Sequence, residues 1–333
     1  MDRYGIRLLR LPSNMCWQDR SRIARDFLDS YEPTWISLQF VPYGFNDKGM
    51  DLKLGERLRD IVEDRPLHIM FHEVWIGAYQ GARVKERLVG MIQRECIRRM
   101  VRCTEPAVVS TSNAAYAALL RQAGVTPSVL PLFGNIPFTS MRQSDWLAST
   151  LKSVGLAEDR SAQWIFVFFG ALHPAWSPEP LFSYLSEAAA QSGKRIAIVS
   201  IGRIGPGESL WNRLCDEYAG PIRFCRLCEQ SVEHISELLA VADFGIATSP
   251  WQLIGKSGTA ASMLEHGLPV IVSRDDIHFP STKETGPTPD LLIKMDASLP
   301  ARLASARRKA PKPMLPDVIR LLIRHLDGAR LSS

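Results

Sequence analysis

The sequence lacks the long apolar run that a membrane span needs. Its longest apolar stretch runs from Trp164 to Leu172, whereas a transmembrane helix takes roughly 20 consecutive apolar residues. The N-terminal residues MDRYGIRLLRLPS carry charges and no continuous apolar segment, which argues against a secretory signal. We therefore expect no transmembrane helix and a cytoplasmic location.

Cysteine and aromatic residues are also sparse. The six cysteines are scattered apart from Cys225 and Cys228, and this CxxC has no second pair with which to hold zinc. Reduced cytosolic thiols are the simplest interpretation, and we expect no metal site and no cofactor. Aromatic residues make up 8% of the chain and do not alternate with basic residues, so no nucleic-acid partner is indicated.

The excess of positive charge is small, with a formal net charge of +5. Its most concentrated patch is ARRKAPKP, residues 306–313. This patch is either a contact for anionic lipid or acidic substrate, or a solvated helix end. At most a peripheral contact with a membrane is therefore expected.

What the chain does contain is a regular alternation of strand-like and helix-like segments over 333 residues, enough for two domains with their own cores. The strands are short and apolar throughout, which is typical of parallel sheets covered by helices on both faces. We predict two doubly wound α/β domains. The predicted strands are Trp35–Phe40, Leu67–Phe71, Ala107–Ser110, Ser128–Leu130, Trp164–Phe169, Arg195–Ile201, Ile222–Cys225, Phe244–Ala247 and Pro269–Val272.

The boundary between the domains is expected between LPLFGNIP, which ends at Pro137, and the strand that starts at Trp164. Proline and glycine punctuate LPLFGNIP, and the polar TSMRQSDW follows it. We assign residues 1–139 to an N-terminal domain, residues 140–300 to a C-terminal domain, and residues 301–333 to a helical tail. A cleft facing the carboxyl ends of both sheets is where open α/β folds bind ligands.

One stretch, PWQLIGKSGTAASMLEHGLPVIV, contains a Gly-Lys-Ser that suggests phosphate binding. A Walker A loop needs a glycine five residues before the Gly-Lys pair, and that position is Pro250. Proline has a fixed φ and no amide hydrogen, so it cannot take the place of that glycine. The stretch is therefore not a Walker A loop.

The same stretch still predicts an anion site by another route. Ser257 is a good N-cap for a helix that begins near Gly258, and the amides of Gly258, Thr259 and Ala260 then point out of the helix. These amides and the positive end of the helix dipole attract anions, and Lys256 adds a full charge. The alternative is that Ser257 merely caps the helix and Lys256 is solvated.

In the N-terminal half, polar residues follow two predicted strands. His72 and Glu73 come directly after the apolar LHIMF, and Gln39 and Tyr43 lie in SLQFVPYGF. We predict that His72 faces the ligand, that Glu73 orients its ring or contacts the ligand, and that Gln39 and Tyr43 form a wall of the ligand site. The alternative for His72 is a structural role in packing. The alternative for Gln39 and Tyr43 is that they belong to a strand and turn in which an aromatic side chain contacts the core.

The segment ISELLAVADFGIATSPWQLIGKSGTAASMLEHGLPVIVS resembles the donor-binding region of GT-B glycosyltransferases, especially family 4. FVFFGALHPAWSPEPLFSYLSEAA and VSIGRIGPGESLWNRL are similar to the first strand with its glycine turn, at Gly170, and to the second strand of that domain. The resemblance covers most of residues 164–275 and rests on the order and spacing of these motifs. It implies two Rossmann-like domains, an acceptor-side domain in residues 1–139 and a donor-binding domain in residues 140–300, and a histidine, here His72, facing the donor sugar. Gln39 and Tyr43 would then form an acceptor wall, and Glu73 would orient the His72 ring or bind acceptor.

The chain departs from the family at four positions. The arginine and lysine that grip the diphosphate are replaced by Ala171 and Ser177, and the two glutamates of the donor helix by Ile254 and Ser262. We infer that Lys256, the helix amides and Arg203 bind the diphosphate instead. Glu265 then reaches the ribose, or lies at a solvated helix position, and His173 lines the cleft.

The resemblance implies a metal-independent hexosyltransferase that moves a sugar from a nucleotide diphosphate sugar to a glycan, lipid-linked or small-molecule hydroxyl acceptor. It further implies retention of configuration and a role in glycan or polysaccharide assembly. Relative to the family, the chain is expected to lack the first strand and the glycine-rich loop. A sugar-nucleotide epimerase and a non-catalytic nucleotide- or glycan-binding protein are the alternatives.

Overall fold

The architecture comes from a computed structural model that describes residues 2–3, 6–139, 144–156, 160–174, 176–280 and 290–330. The chain forms two compact units. Unit 1 holds the residues up to Leu130 and the C-terminal residues from Arg320 onward, and unit 2 holds most of the chain from Pro131 to Ile319.

Unit 1 contains a sheet of four parallel strands in the order β3-β4-β5-β6. A short antiparallel pair, β1 and β2, precedes it. The strands are β1 (Asp2–Arg3), β2 (Ile6–Arg7), β3 (Ile36–Phe40), β4 (Leu67–Phe71), β5 (Val108–Thr111) and β6 (Ser128–Val129). The helices are α1 (Trp17–Tyr31), α2 (Leu54–Val62), α3 (Val84–Thr104), α4 (Ala114–Gln122) and the greater part of α11 (Leu315–Arg330).

Unit 2 contains a sheet of six parallel strands in the order β12-β11-β10-β7-β8-β9. The strands are β7 (Gln163–Phe169), β8 (Arg195–Ile201), β9 (Ile222–Arg226), β10 (Phe244–Pro250), β11 (Val270–Arg274) and β12 (Leu292–Lys294). The helices are α5 (Asp145–Ser153), α6 (Leu181–Ser192), α7 (Glu208–Glu217), α8 (Val232–Val241), α9 (Gly258–Glu265) and α10 (Leu299–Ser305).

All nine predicted strands are confirmed, with ends that differ from the prediction by three residues at most. The physical reason is visible in β7, where Phe166 and Phe168 belong to one buried cluster and Ile165 and Val167 to another. Successive side chains of a strand point to opposite faces, so a strand that is covered on both sides must be apolar throughout. The predicted fold of doubly wound α/β domains is confirmed.

The division between the units falls earlier than the expected boundary after residue 139, and the expected tail, residues 301–333, is divided between the two. The segment after Pro131 belongs to unit 2 because it is hydrogen-bonded there. The amide of Asn135 donates to Oγ of Ser262 at 3.2 Å, and that of Thr139 donates to Oγ of Ser236, also at 3.2 Å.

Among the described residues we find no helix with the length and apolar content that a bilayer span requires.

Candidate functional site

The strand order of unit 2 creates a crevice beside β7. The chain proceeds from β7 to β8 and β9 on one side, then returns to β10 and continues to β11 and β12 on the other side. The strand order therefore reverses between β7 and β10. Open α/β sheets bind their ligands outside the carboxyl ends of the strands at such a switch point.

Gly170 lies directly after β7 at this point and allows a close approach of two loops. Its φ is +81°, and a Cβ there would lie 3.1 Å from Cγ2 of Thr259, at the start of α9. Gly202, after β8, has φ +90° and packs against Gly170, since its own Cβ would lie 3.4 Å from the Gly170 Cα. The turn after β7 and the N-terminus of α9 are thus neighbours.

The N-terminus of α9 is capped as the sequence predicts. Oγ of Ser257 accepts a hydrogen bond from the amide of Ala260 at 3.3 Å and lies 3.2 Å from the Thr259 hydroxyl. One expectation is corrected, because the Ala260 amide is used by the cap and is not available to a ligand. Within the described part of the chain, the amides of Gly258 and Thr259 have no partner.

The side of Gly258 on which a side chain would project is open. A Cβ added to Gly258 would meet no atom within 4 Å. Lys256 ends the 3₁₀ helix Trp251–Lys256 and is half-buried, two residues before Gly258. Two outward amides, a helix N-terminus and a lysine next to open space are suited to an anionic group.

Arg203 and His173 lie on the loops that follow β8 and β7. Arg203 is engaged with Glu229, to which its guanidinium donates two hydrogen bonds of 2.9 Å, and these lower the pKa of Glu229. A diphosphate would have to compete with that carboxylate, although the pair is exposed and contributes little to stability. His173 is exposed, and its charge helps Arg274, the main cause, to lower the pKa of Asp276.

Glu265 is buried rather than solvated, which makes the solvated alternative wrong. Its side chain is 8% exposed, and its Oε1 accepts a 2.6 Å hydrogen bond from the backbone amide of Gly134. A Cβ at Gly134 would lie 2.7 Å from Cα of Ser262, so glycine permits this contact. Glu265 thus fastens the segment after Pro131 to α9.

We predict that Glu265→Ala lowers the free energy of unfolding by about 2 kcal/mol, because the Gly134 amide loses its buried acceptor. Urea unfolding measures this change. Glu265→Gln retains a carbonyl acceptor and should cost less. If Glu265→Gln instead left stability intact and weakened nucleotide binding, the ribose role expected from the sequence would be favoured.

In unit 1, four polar side chains form a continuous hydrogen-bonded row. Nε2 of His72 donates to Oε1 of Gln39 at 2.8 Å, and Nε2 of Gln39 donates to Oγ of Ser37, also at 2.8 Å. Ser37 in turn hydrogen-bonds with Nδ1 of buried His68 at 2.9 Å. The structure therefore brings the predicted residues His72 and Gln39 together, next to half-buried Glu73.

His72 is held in its neutral form by its surroundings. Partial burial lowers the pKa of His72, and the nearby carboxylate of Glu73 opposes this shift. Since Nε2 donates to Gln39, its Nδ1 is the ring nitrogen that remains able to accept a proton.

Tyr43 lies in the short 3₁₀ helix Pro42–Gly44, and its side chain is 43% exposed. Its hydroxyl accepts a 3.2 Å hydrogen bond from Gln93, which is fully buried on α3. In the alternative interpretation of this segment, an aromatic side chain contacts the core. Phe40 and Phe45 contact each other here, with ring centroids 5.9 Å apart.

Sequence reasoning missed Ser37, His68 and Gln93. The alternation of Ser37 and Gln39 with apolar residues in ISLQF is a period of two, and it would have placed both on one face of the strand. Among the described residues no cluster of three or more His, Cys, Asp or Glu side chains is arranged to hold a metal ion.

No family model and no curated protein sequence matches the chain. Many solved structures are similar to it, including the following three. An α,α-trehalose 6-phosphate synthase from Burkholderia multivorans is 12% identical over 87% of this chain and 66% of its own length, with a TM-score of 0.53. A glycosyltransferase from Rickettsia africae is 11% identical over 81% of this chain and 65% of its own length, with a TM-score of 0.51.

An α,α-trehalose-phosphate synthase (UDP-forming) from Burkholderia xenovorans, solved with glucose-6-phosphate, is 10% identical over 87% of this chain and 68% of its own length, with a TM-score of 0.52. The chain spans slightly less than two thirds of the length of the Burkholderia multivorans and Rickettsia structures. At these identities the similarity concerns the fold. The chain has the GT-B fold of two Rossmann-like units.

Proposed function

We propose that this protein transfers a sugar from a nucleotide diphosphate sugar to a hydroxyl acceptor. The observation that carries the proposal is the switch point between β7 and β10, where Gly170 packs against the N-terminus of α9 and the amides of Gly258 and Thr259 have no partner among the described residues. Neighbours in the fold are a glycosyltransferase and two synthases, one of them described as UDP-forming.

The proposed chemistry uses these groups where charge develops. As the bond to the sugar breaks, the diphosphate leaving group gains negative charge. The amides of Gly258 and Thr259 are fixed by the backbone before the reaction, so they stabilise this charge without reorganising, and Lys256 is proposed to add a full positive charge. His173 and Arg203, on neighbouring loops, are proposed as further donor contacts.

In unit 1, neutral His72 is proposed to contact the reacting sugar, with Gln39 fixing its tautomer. Glu73 and Tyr43 are proposed to bind the acceptor. Retention of configuration, metal independence, hexosyl transfer and a role in polysaccharide assembly are part of the proposal and follow from the resemblance to family 4.

The first experiment is thermal unfolding of the full chain with a panel of nucleoside diphosphates. A ligand that binds only the native state must raise its apparent stability. We expect a selective increase in Tm with one base. If none of the diphosphates changes Tm, even at millimolar concentrations, the donor site is not where we place it.

Lys256→Ala is predicted to weaken binding of that diphosphate by about tenfold or more, since one charge-assisted contact is lost. Calorimetric titration measures the affinity. Lys152→Ala is a matched control because Lys152 is an exposed lysine on α5 of the same unit, and it should bind as the wild type does. Equal affinities for the Lys256 variant and the wild type would contradict the site assignment.

A non-catalytic nucleotide-binding role is the second candidate, because Ala171 and Ser177 stand where family 4 has its phosphate-gripping arginine and lysine. Incubation with the donor whose base is selected distinguishes the possibilities by product. A glycosylated acceptor supports transfer, an altered sugar nucleotide supports epimerisation, and binding without turnover on a broad acceptor panel supports the binding role.

A further inference from the structure

Helix α3 presents a row of apolar side chains to solvent. Val84, Leu88, Met91 and Ile92 are 72, 58, 68 and 46% exposed. Positions i, i+4, i+7 and i+8 lie on one face of a helix, so these side chains form a continuous stripe. Neighbouring large apolar groups at such exposure are unusual on a soluble surface and mark an interaction site.

The helix already has a buried face, so the stripe is an additional surface. Its opposite side packs into unit 1 through residues of which Gln93, Ile97 and Met100 are at most 1% exposed. Gln93 also donates to the backbone carbonyl of Lys48 at 2.9 Å and accepts from the amide of Ile76 at 3.1 Å. These contacts hold α3 in place and leave the stripe facing outward.

Positive charge surrounds the stripe. Residues 83–104 contain seven Arg or Lys and two Glu, a net charge of +5, which equals the formal net charge of the whole chain. The excess positive charge of the protein is thus accounted for by this one segment. Arg83, Lys85 and Arg87 are exposed, and no ion pair involves them in the part of the chain that the structure describes.

The other basic residues of α3 have partners within the chain. Arg98 and Arg102 pair with Glu95, Arg99 pairs with Glu56, and Arg94 donates to the backbone carbonyl of Gln122. The unpaired charge therefore lies at the N-terminal half of α3, next to the apolar stripe.

The basic patch that the sequence pointed to, residues 306–313, differs from the border of the α3 stripe because its basic side chains have partners within unit 2. The guanidinium of Arg308 is half-buried and donates to the carbonyls of Leu239 and His266, at 2.9 and 2.7 Å. Lys309 pairs with Asp290. The basic side chains that the sequence pointed to are engaged within unit 2, whereas those beside the stripe of α3 face solvent.

We propose that the exposed face of α3 docks on an anionic lipid surface. An interface of that kind offers an apolar layer for Val84, Leu88, Met91 and Ile92 and negative headgroups for Arg83, Lys85 and Arg87. The apolar stripe with its basic border matches the layering of a lipid surface, in which an apolar interior lies beneath charged headgroups.

The first half of α3, which carries the proposed lipid contact, lies at the carboxyl end of the sheet of unit 1. Gln93 binds the loop after β3 through Lys48 and the segment after β4 through Ile76, so the first half of α3 lies at the carboxyl end of this sheet, where His72 also lies. Combined with the proposed function, this favours an acceptor that is anchored in the membrane. That last step rests on the proposed function, and the lipid contact itself does not.

Vesicle co-sedimentation of the full chain tests the proposal. The probes are vesicles of phosphatidylcholine alone and of phosphatidylcholine mixed with phosphatidylglycerol. We expect binding to the anionic vesicles that weakens as salt is added. Leu88→Gln with Met91→Gln should reduce it by about tenfold or more, and Lys85→Glu with Arg87→Glu by a similar factor.

The matched control is Ile319→Gln with Ile323→Gln on α11, where the side chains are 45 and 49% exposed. This variant should bind as the wild type does. All variants alter exposed positions, and unchanged Tm values establish that they fold. Retained nucleotide binding by the α3 variants separates this test from that of the proposed function.

Three results would overturn the proposal. The first is a wild type that sediments equally with neutral and anionic vesicles, or with neither. The second is an α3 variant that binds anionic vesicles as well as the wild type does. The third is a wild-type oligomer that the Leu88 and Met91 changes convert to a monomer without any vesicle binding, which would assign the stripe to a second copy of the chain.

Discussion

Alanine at Gly267 is expected to lower the free energy of unfolding by about 3 kcal/mol or more. Gly267 follows the end of α9 with φ +71°, a conformation that costs an L-residue about 1 kcal/mol or more. A Cβ there would also lie 1.9 Å from the backbone carbonyl oxygen of Lys309, closer than any real contact. Because the obstructing atom belongs to the backbone, whole segments have to move.

This close approach belongs to a seam between the end of α9 and the segment after α10. The amide of Lys309 donates to the carbonyl of Gly267 at 3.0 Å, and that of Lys312 donates to the carbonyl of Glu265 at 2.8 Å. Displacing Lys309 would therefore weaken hydrogen bonds in addition to the steric cost.

Gly193→Ala is the matched control for this prediction. Gly193 also ends a helix, α6, in the left-handed conformation, with φ +62°, but a Cβ there would meet nothing within 4 Å. Gly193→Ala should lower the free energy of unfolding by about 1 kcal/mol, which is the cost of the left-handed conformation alone. Chemical unfolding of both variants gives the comparison, and equal losses of stability would show that Lys309 does not obstruct the alanine.

The second large effect is a loss of stability in acid caused by His68. Its side chain is 1% exposed, and burial, assisted by the charge of His325 on α11, lowers the pKa of His68 to about 4. Its Nε2 has no partner among the described residues, so a proton added there would have no acceptor to stabilise it.

The direction of the change in stability with pH follows from proton binding by the folded and unfolded states. In the unfolded chain a histidine titrates near pH 6.5, so between about pH 6.5 and 4 the unfolded state binds a proton that the folded state does not. The contribution of His68 is therefore present above about pH 6.5 and is lost as the pH falls to about 4. The total loss is on the order of 3 kcal/mol.

Urea unfolding of the wild type and His68→Gln at several pH values between 7 and about 4 measures this effect. The variant removes the titrating ring and retains a polar group near Ser37. It should show a smaller decrease of stability with acid than the wild type, because the other titrating groups are common to both. Identical pH dependences would show that His68 is not responsible.

The sequence predicted the strands and the cap of α9 well because those features depend on neighbours in the chain. An apolar run such as WIFVFF forms a strand that must be buried on both faces of its sheet. Ser257 accepts a hydrogen bond from the amide of Ala260, only three residues ahead. The strand β12, Leu292–Lys294, was not predicted. It has three residues, too few for a pattern to stand out.

The hydrogen-bond partners of single residues at the site could not be predicted, because those partners are distant in the chain. The acceptor of the Gly134 amide is Glu265, which is 131 residues away, and the partner of Arg203 is Glu229 on another loop. No local pattern specifies which of several carboxylates meets a given donor. Gln39 and His72 were expected at the same rim because parallel strands end together, and they are hydrogen-bonded there.

By itself, then, the sequence determined the alternation of buried strands and helices, the start of α9 and the polar residues at the ends of β3 and β4. Those properties follow from hydrophobic periodicity and from hydrogen bonds within one turn of chain. Only the tertiary structure decided that Gly170 meets Thr259, that Arg308 donates to carbonyls distant in the chain, and that the apolar stripe of α3 faces solvent. Each of these depends on which segments the fold brings together, because burial and pairing are properties of the packed chain and not of the local sequence.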